Sequence, residues 1–218
     1  REAEQNLDEQ RQTRALAEAN RALQDRVAQR SRALHKEVGE RARVQQQLAH
    51  EQTHDALTGL ANPRCLHEHI ERLLDALRRD PASPAVLLQL NLDRFAGINE
   101  GLGHFTGDEV LQQVATRLTE CLGNRPGLVA RLAADEFAVL IPQMAGTRQA
   151  MRIAHRMIDC IGQPITVAGR ELHLSARLGV LLCDAGYRTL EHVLRDADIA
   201  LHRAASIETA AIASGSAR

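Results

Sequence analysis

Arg131-Leu132-Ala133-Ala134-Asp135-Glu136-Phe137 is the stretch on which the reading of this chain turns. Its adjacent carboxylates sit between two apolar runs, Leu128 to Ala133 and Phe137 to Ile141. That pattern predicts a β-hairpin with Ala133 to Glu136 as its turn. Upstream, Ala85-Val86-Leu87-Leu88-Gln89-Leu90-Asn91-Leu92 is an apolar run of strand length, which reads as a central strand buried on both faces. Pro63 suits the first turn of a helix whose apolar face is Leu66, Ile70, Leu73, Leu74 and Leu77, and Pro81 and Pro84 close the connection that follows. Val110, Leu111, Val114, Leu118 and Leu122 make a second amphipathic helix, Ala150 to Ile161 a third and Leu190 to Ala205 a last one. Ile165 to Val180 reads mostly as strand with a turn at Gly169. Alternating helices and strands of this kind predict an α/β sandwich with a mostly antiparallel sheet flanked by helices.

Composition narrows the function classes. The net charge of -1 gives no electrostatic case for nonspecific binding to nucleic acid or to a membrane surface. Aromatic residues are only 2% of the chain, which removes the stacking platforms of single-strand binders. No apolar run approaches the roughly 18 residues of a membrane span. Cys65, Cys121, Cys160 and Cys183 are scattered, with no C-x-x-C pair, which predicts reduced thiols in a cytoplasmic domain. The sole lysine is Lys36, so a lysine grip on phosphate is excluded from the globular part. A chain opening on Arg1 without a signal peptide is expected to be a piece of a longer protein.

Residues 1 to 52 hold no proline, one glycine (Gly39), and abundant Glu, Gln, Arg and Ala, which favours one long helix. A seam spaced alternately four and three runs through Leu16, Asn20, Leu23, Val27, Arg30, Leu34, Glu37, Arg41, Val44 and Leu48. It predicts a coiled coil whose polar positions restrict register and oligomer number; a solvated single helix is the alternative. Such a rod would extend about 75 Å at 1.5 Å per residue. The expected organisation is a coiled-coil helix over 1–52, a globular domain over 53–209 and a tail or linker over 210–218.

Several ordered motifs in the globular part resemble the GGDEF family, the diguanylate cyclases. His54-Asp55-Ala56-Leu57-Thr58-Gly59-Leu60-Ala61-Asn62-Pro63-Arg64 is similar to that family's D-x-L-T-G-L-x-N-R, and Leu92 to Glu100 lies in its D-x-D-x-F-K-x-x-N-D segment. Gly103-His104-Phe105-Thr106-Gly107-Asp108 follows as G-H-x-x-G-D, then the hairpin, then Leu178-Gly179-Val180 and Ala197-Asp198-Ile199-Ala200-Leu201. The resemblance implies a nucleotidyl-cyclase-like fold and a family chemistry that joins two GTP molecules on divalent metal, magnesium, with one GTP held by each domain of a facing pair.

Carried over position by position, the resemblance implies a damaged site. Asn99 and Asp108 hold the positions that hydrogen-bond the guanine edge, although each alone also suits a helix terminus. Asp135 stands at a metal and catalytic position with Glu136 beside it. The partner metal position is Asn91, a neutral amide where the family has aspartate. Asp93 keeps the next acidic position but is expected, from strand alternation, on the opposite face. Ala96, Ala205 and Thr209 replace the cations that grip the triphosphate, leaving Arg94 and Arg203 as ordinary surface arginines. Ala133 and Ala134 replace both glycines of the turn, adding methyl groups and, wherever φ is positive, strain of roughly 1 kcal/mol each. Asn124-Arg125-Pro126-Gly127 lacks the R-x-x-D of the family's inhibitory product site.

The expected function is therefore a degenerate GGDEF domain: a homodimer through its coiled coil, relaying the state of an upstream sensor to a protein partner or a downstream EAL phosphodiesterase in bacterial c-di-GMP signalling. A weak but active diguanylate cyclase is one rival, and a GTP sensor without turnover is another.

Overall fold

The computed structural model describes residues 23, 30, 34–41, 43, 51–144, 146–167 and 169–205, and the backbone of 212–215. Of the predicted seam, Leu16, Asn20, Val27, Val44 and Leu48 lie outside the described residues. Residues 34–41 are helical, and Leu23 and Leu34 are each 60% exposed.

From Glu51 onward the chain forms a unit of its own. Helix α1 (Pro63–Arg79) begins where Asn62 Oδ1 accepts the Cys65 N–H and Pro63 supplies a preset φ. Strand β1 (Ala85–Leu92) follows, then α2 (Phe95–Leu102) and α3 (His104–Leu122). The hairpin is β2 (Leu128–Arg131) and β3 (Glu136–Ile141); next come α4 (Thr147–Gly162), the short pair β4 (Ile165–Val167) and β5 (Arg170–Leu172), β6 (Ala176–Cys183), α5 (Leu190–Ala205) and β7 (Ile212–Gly215).

The main sheet runs β2-β3-β1-β6-β7, antiparallel except for the β6–β7 pair. β1 lies centrally, and its period-two alternation divides the core. Val86, Leu88, Leu90 and Leu92 pack with Val110, Val114 and Leu118 of α3 and Ile153, Met157 and Ile161 of α4. Ala85 and Leu87 face the other way, with Leu66, Ile70 and Leu74 of α1 and Val193 and Ala197 of α5. Each fully buried leucine of this kind contributes about 1.5–3 kcal/mol, so the sheet is held from both sides.

Gln89 is the buried polar residue of β1, and its Nε2 donates to Asp198 Oδ1 of α5 at 2.8 Å. The same face carries Gly179, where a Cβ would stand 2.5 Å from the Leu201 backbone nitrogen. A bare Cα at that point of β6 lets α5 lie directly on the sheet. All four cysteines are free, and burial raises the Cys183 thiol to about 12.

Ile165 to Val180, read as mostly strand with a turn at Gly169, is the two-stranded β4–β5 hairpin turning at Gly169, followed by the first half of β6. Within 210–218, read as a tail, Ile212–Gly215 adds a parallel edge strand to β6.

Candidate functional site

The site is assembled where β1 ends and the hairpin turns. Leu132 N–H donates to the Glu136 carbonyl at 2.8 Å, closing the turn, and Leu92 N–H donates to the Asp135 carbonyl at 3.0 Å. The second bond fixes the turn against the end of β1. Arg131 holds it from the outside, with Nε donating to the Ala133 carbonyl at 3.1 Å and Nη2 to the Ala134 carbonyl at 3.0 Å. Its Nη1 donates to Asp55 Oδ1 at 3.1 Å. Thr58, of the same T-G-L segment, donates to that oxygen through its N–H and its hydroxyl.

Ala133 and Ala134 are both exposed. Among the described non-glycine residues only Arg94 and Gln143 take positive φ, so neither alanine carries left-handed strain. What remains of the expectation at these two positions is the added methyl groups.

Burial alone would raise the Asp55 carboxyl, but the Thr58 hydrogen bonds and the Arg131 guanidinium outweigh it and hold it below its ordinary value. A depressed carboxylate contributes stability above the unfolded-state value, about 3.9, and that contribution is lost as pH falls through the folded-state value. The side chains of Arg131 and Asp55 are only 13% and 25% exposed, so screening is partial. Asp55→Ala is expected to cost about 2 kcal/mol at pH 7, with the urea midpoints of wild type and variant converging below about pH 4. A gap independent of pH would refute this account.

Asn91 stands between two cross-strand partners, Glu136 on β3 and Arg177 on β6. Directly paired residues share a sheet face, so amide, carboxylate and guanidinium line up on the α1/α5 side. Arg177 Nη2 donates to Asn91 Oδ1 and its Nε to Asp93 Oδ1, both at 2.7 Å. Ser175 Oγ donates to Asp93 Oδ2 at 2.9 Å.

The expectation that Asp93 faces away from Asn91 is thereby overturned. Positions two apart in a strand share a face, and Asp93, just past the end of β1, meets the same guanidinium as Asn91. Sequence reading missed Arg177, although a signal was available: at period two, Arg177 falls in line with Gly179, Leu181 and Cys183, an otherwise inward-facing set.

Magnesium takes hard oxygens, carboxylates foremost, in near-octahedral geometry. Position 91 offers an amide oxygen already bound to a guanidinium, and both Asp93 oxygens have donors. Among the described residues no group of three His, Cys, Asp or Glu side chains is placed to share a metal. The residues present do not fit the ion.

Asn99 and Asp108 lie on either side of the junction of α2 and α3. Gly103 N–H donates to the Asn99 carbonyl at 3.0 Å, turning the chain from one helix into the next. The Asn99 side chain lies over Gly107, where a Cβ would fall 1.9 Å from Oδ1. Asp108 is the next residue and is exposed. Neither is a helix cap, since Asn99 lies inside α2 and Asp108 inside α3. Ala96 is exposed on α2, Ala205 ends α5, and Thr209 lies outside the described residues. Arg94 precedes α2 and is exposed, as is Arg203 near the end of α5.

A five-stranded, mostly antiparallel sheet with helices on both faces and an acidic hairpin beside its central strand is the architecture of a cyclase-like domain. The chain belongs to the GGDEF family: residues 52–209 match the family described as "Diguanylate cyclase, GGDEF domain". That family uses GTP and magnesium. The chain is 37% identical over 165 residues to the diguanylate cyclase TpbB of Pseudomonas aeruginosa, covering 74% of this chain and 38% of that protein. It is 35% identical over 150 residues to the cyclic di-GMP phosphodiesterase NbdA of the same organism, covering 69% of this chain and 19% of NbdA. The solved GGDEF domain of TpbB superposes with a TM-score of 0.67 at 34% identity, covering 76% of this chain and 94% of that one. The chain thus spans less than half the length of these curated relatives. Among the described residues no helix is long and apolar enough to cross a membrane.

Proposed function

We propose that this chain is a catalytically degenerate GGDEF domain that works as a dimeric signal relay in a c-di-GMP signalling protein. One observation carries the reading: the metal position implied by the family is an amide, Asn91, held by a guanidinium. Two-metal chemistry needs carboxylates at fixed positions, and Asp135 alone does not supply them. Exposed Ala96, with Ala205 and Thr209 in sequence, leaves the triphosphate without its cations. Leu23 and Leu34, both largely exposed, support pairing through the N-terminal helix. Relatives that include a phosphodiesterase and a bifunctional cyclase/phosphodiesterase support an attached EAL domain as the receiver.

The second reading, a GTP sensor, is favoured by the Asn99 side chain lying over Gly107, next to which the exposed Asp108 follows in the chain. Calorimetric titration of GTP and GDP, with and without magnesium, separates the two. The expected result is binding weaker than about 1 mM, with little discrimination between the nucleotides. Submillimolar GTP affinity that needs magnesium and vanishes in Asp108→Ala would make the domain a sensor.

A further inference from the structure

The relay reading needs only that the metal position is damaged; the geometry says what has taken the ion's place. Arg177 reaches from β6 to the end of the neighbouring β1, and its fork spans two acceptors, one N–H on Asn91 Oδ1 and one on Asp93 Oδ1, each at 2.7 Å. Both distances are those of short, charge-assisted hydrogen bonds. The remaining carboxylate oxygen of Asp93 is taken by Ser175 Oγ, and Asp93 N–H donates to the Ser175 carbonyl at 2.8 Å. The oxygens that could face a cation between β1 and β6 are therefore already bonded, two to the Arg177 guanidinium and one to the Ser175 hydroxyl.

We propose that Arg177 is an internal cation that replaces the divalent ion of this fold and keeps the site closed to metal. The pairing of an amide at 91 with an arginine at 177 is then one change in two parts. An arginine beside a metal-bound carboxylate pair would be repelled by the ion, and an amide without the arginine would leave the strand end without its cation. Restoring the carboxylate by itself makes the guanidinium hold tighter, because the Asn91→Asp side chain would offer it a full charge in place of an amide dipole. Metal can return only when the arginine leaves as well. This rests on the relay reading for its choice of position, but its readout is metal binding and not turnover.

The test is manganese binding to the 218-residue chain, followed by the electron paramagnetic resonance of free Mn²⁺. Wild type and Asn91→Asp are expected to leave the free signal undiminished, whereas Asn91→Asp with Arg177→Ser binds at least about tenfold tighter than either. Circular dichroism checks that the double variant is folded. If the serine form is not, Arg177→Gln in the Asn91→Asp background keeps much of the side chain's bulk without its charge and is expected to gain the same binding. Saturable binding by the wild type, an equal gain in Asn91→Asp alone, or no gain in a folded double variant would each overturn the proposal. Failure here leaves the relay reading standing if the wild type still makes no cyclic dinucleotide. Synthesis of that product by the wild type would instead remove the relay reading itself.

Discussion

Incubated with GTP and magnesium, the purified chain is expected to form no c-di-GMP, and Asn91→Asp by itself does not restore synthesis. Three independent losses stand behind this. The position that the resemblance aligns with the family's metal-binding aspartate is an amide, Asn91, bound to Arg177. The positions that the family resemblance aligns with its phosphate-gripping cations hold Ala96, Ala205 and Thr209, and each missing charge-assisted contact costs about 1.5–3 kcal/mol. A total of only about 4 kcal/mol moves a micromolar site to about millimolar. The turn carries two exposed alanines where the family pattern, by resemblance, has two glycines. Product measured by chromatography at about 1 per second or faster, a typical enzymatic rate, would refute the degenerate reading. Since repairing one loss leaves the other two in place, a single substitution that restored full activity would count equally against it.

The largest effect on stability is expected from Gly179→Ala. The added carbon would stand 2.5 Å from Leu201 N, 2.8 Å from the Ala200 carbonyl carbon and 2.9 Å from the Leu201 Cα, all of them backbone atoms of α5. A side chain can rotate out of such a contact, but a helix backbone cannot. The whole of α5 must lift from β6, and with it Val193 and Ala197 from the core they share with α1. Overpacking of this kind costs about 3 kcal/mol, which for a domain of this size lowers the melting temperature by roughly 6–12 °C. Gly97→Ala is the matched control, because a Cβ there meets nothing within 4 Å inside α2. It is expected to be neutral or to stabilise by up to about 1 kcal/mol. Equal melting temperatures for the two variants would show that α5 does not depend on the bare Cα at 179.

The fold was legible wherever side-chain periodicity meets a clear boundary. β1 and α5 fall where the apolar pattern sets them, because Pro84 bounds one and both carry uninterrupted faces. α2 was not recognised as a helix, since Gly97 and Gly101 lower its propensity and only Phe95 is buried. β7 owes its existence to pairing with β6, a long-range partner that no local pattern in Ile212–Gly215 announces. At the site, the residue types at 91, 96, 133 and 134 could be read directly. Asp93 shares the face of Asn91, because positions two apart in a strand point the same way. Arg177 was passed over because its partners lie 84 and 86 residues away along the chain.

The Arg131 guanidinium has a mechanical consequence. Three of its N–H groups hold the carbonyls of the turn at 133 and 134 and the carboxylate of Asp55. Asp55 belongs to the loop through which the chain enters the domain, a loop closed on itself by Asn62 N–H donating to the Thr53 carbonyl at 2.9 Å and Asn62 Nδ2 to the Gln52 carbonyl at 2.9 Å. Entry loop and turn are thus joined by a planar, rigid strut. A pull applied at residue 52 reaches Ala134 without crossing the hydrophobic core. The entry loop also grips β2 directly, with Ala61 N–H donating to the Val129 carbonyl at 3.2 Å and Arg131 N–H to the Ala61 carbonyl at 2.9 Å, so displacement of the loop reaches the hairpin through its backbone and through the guanidinium together.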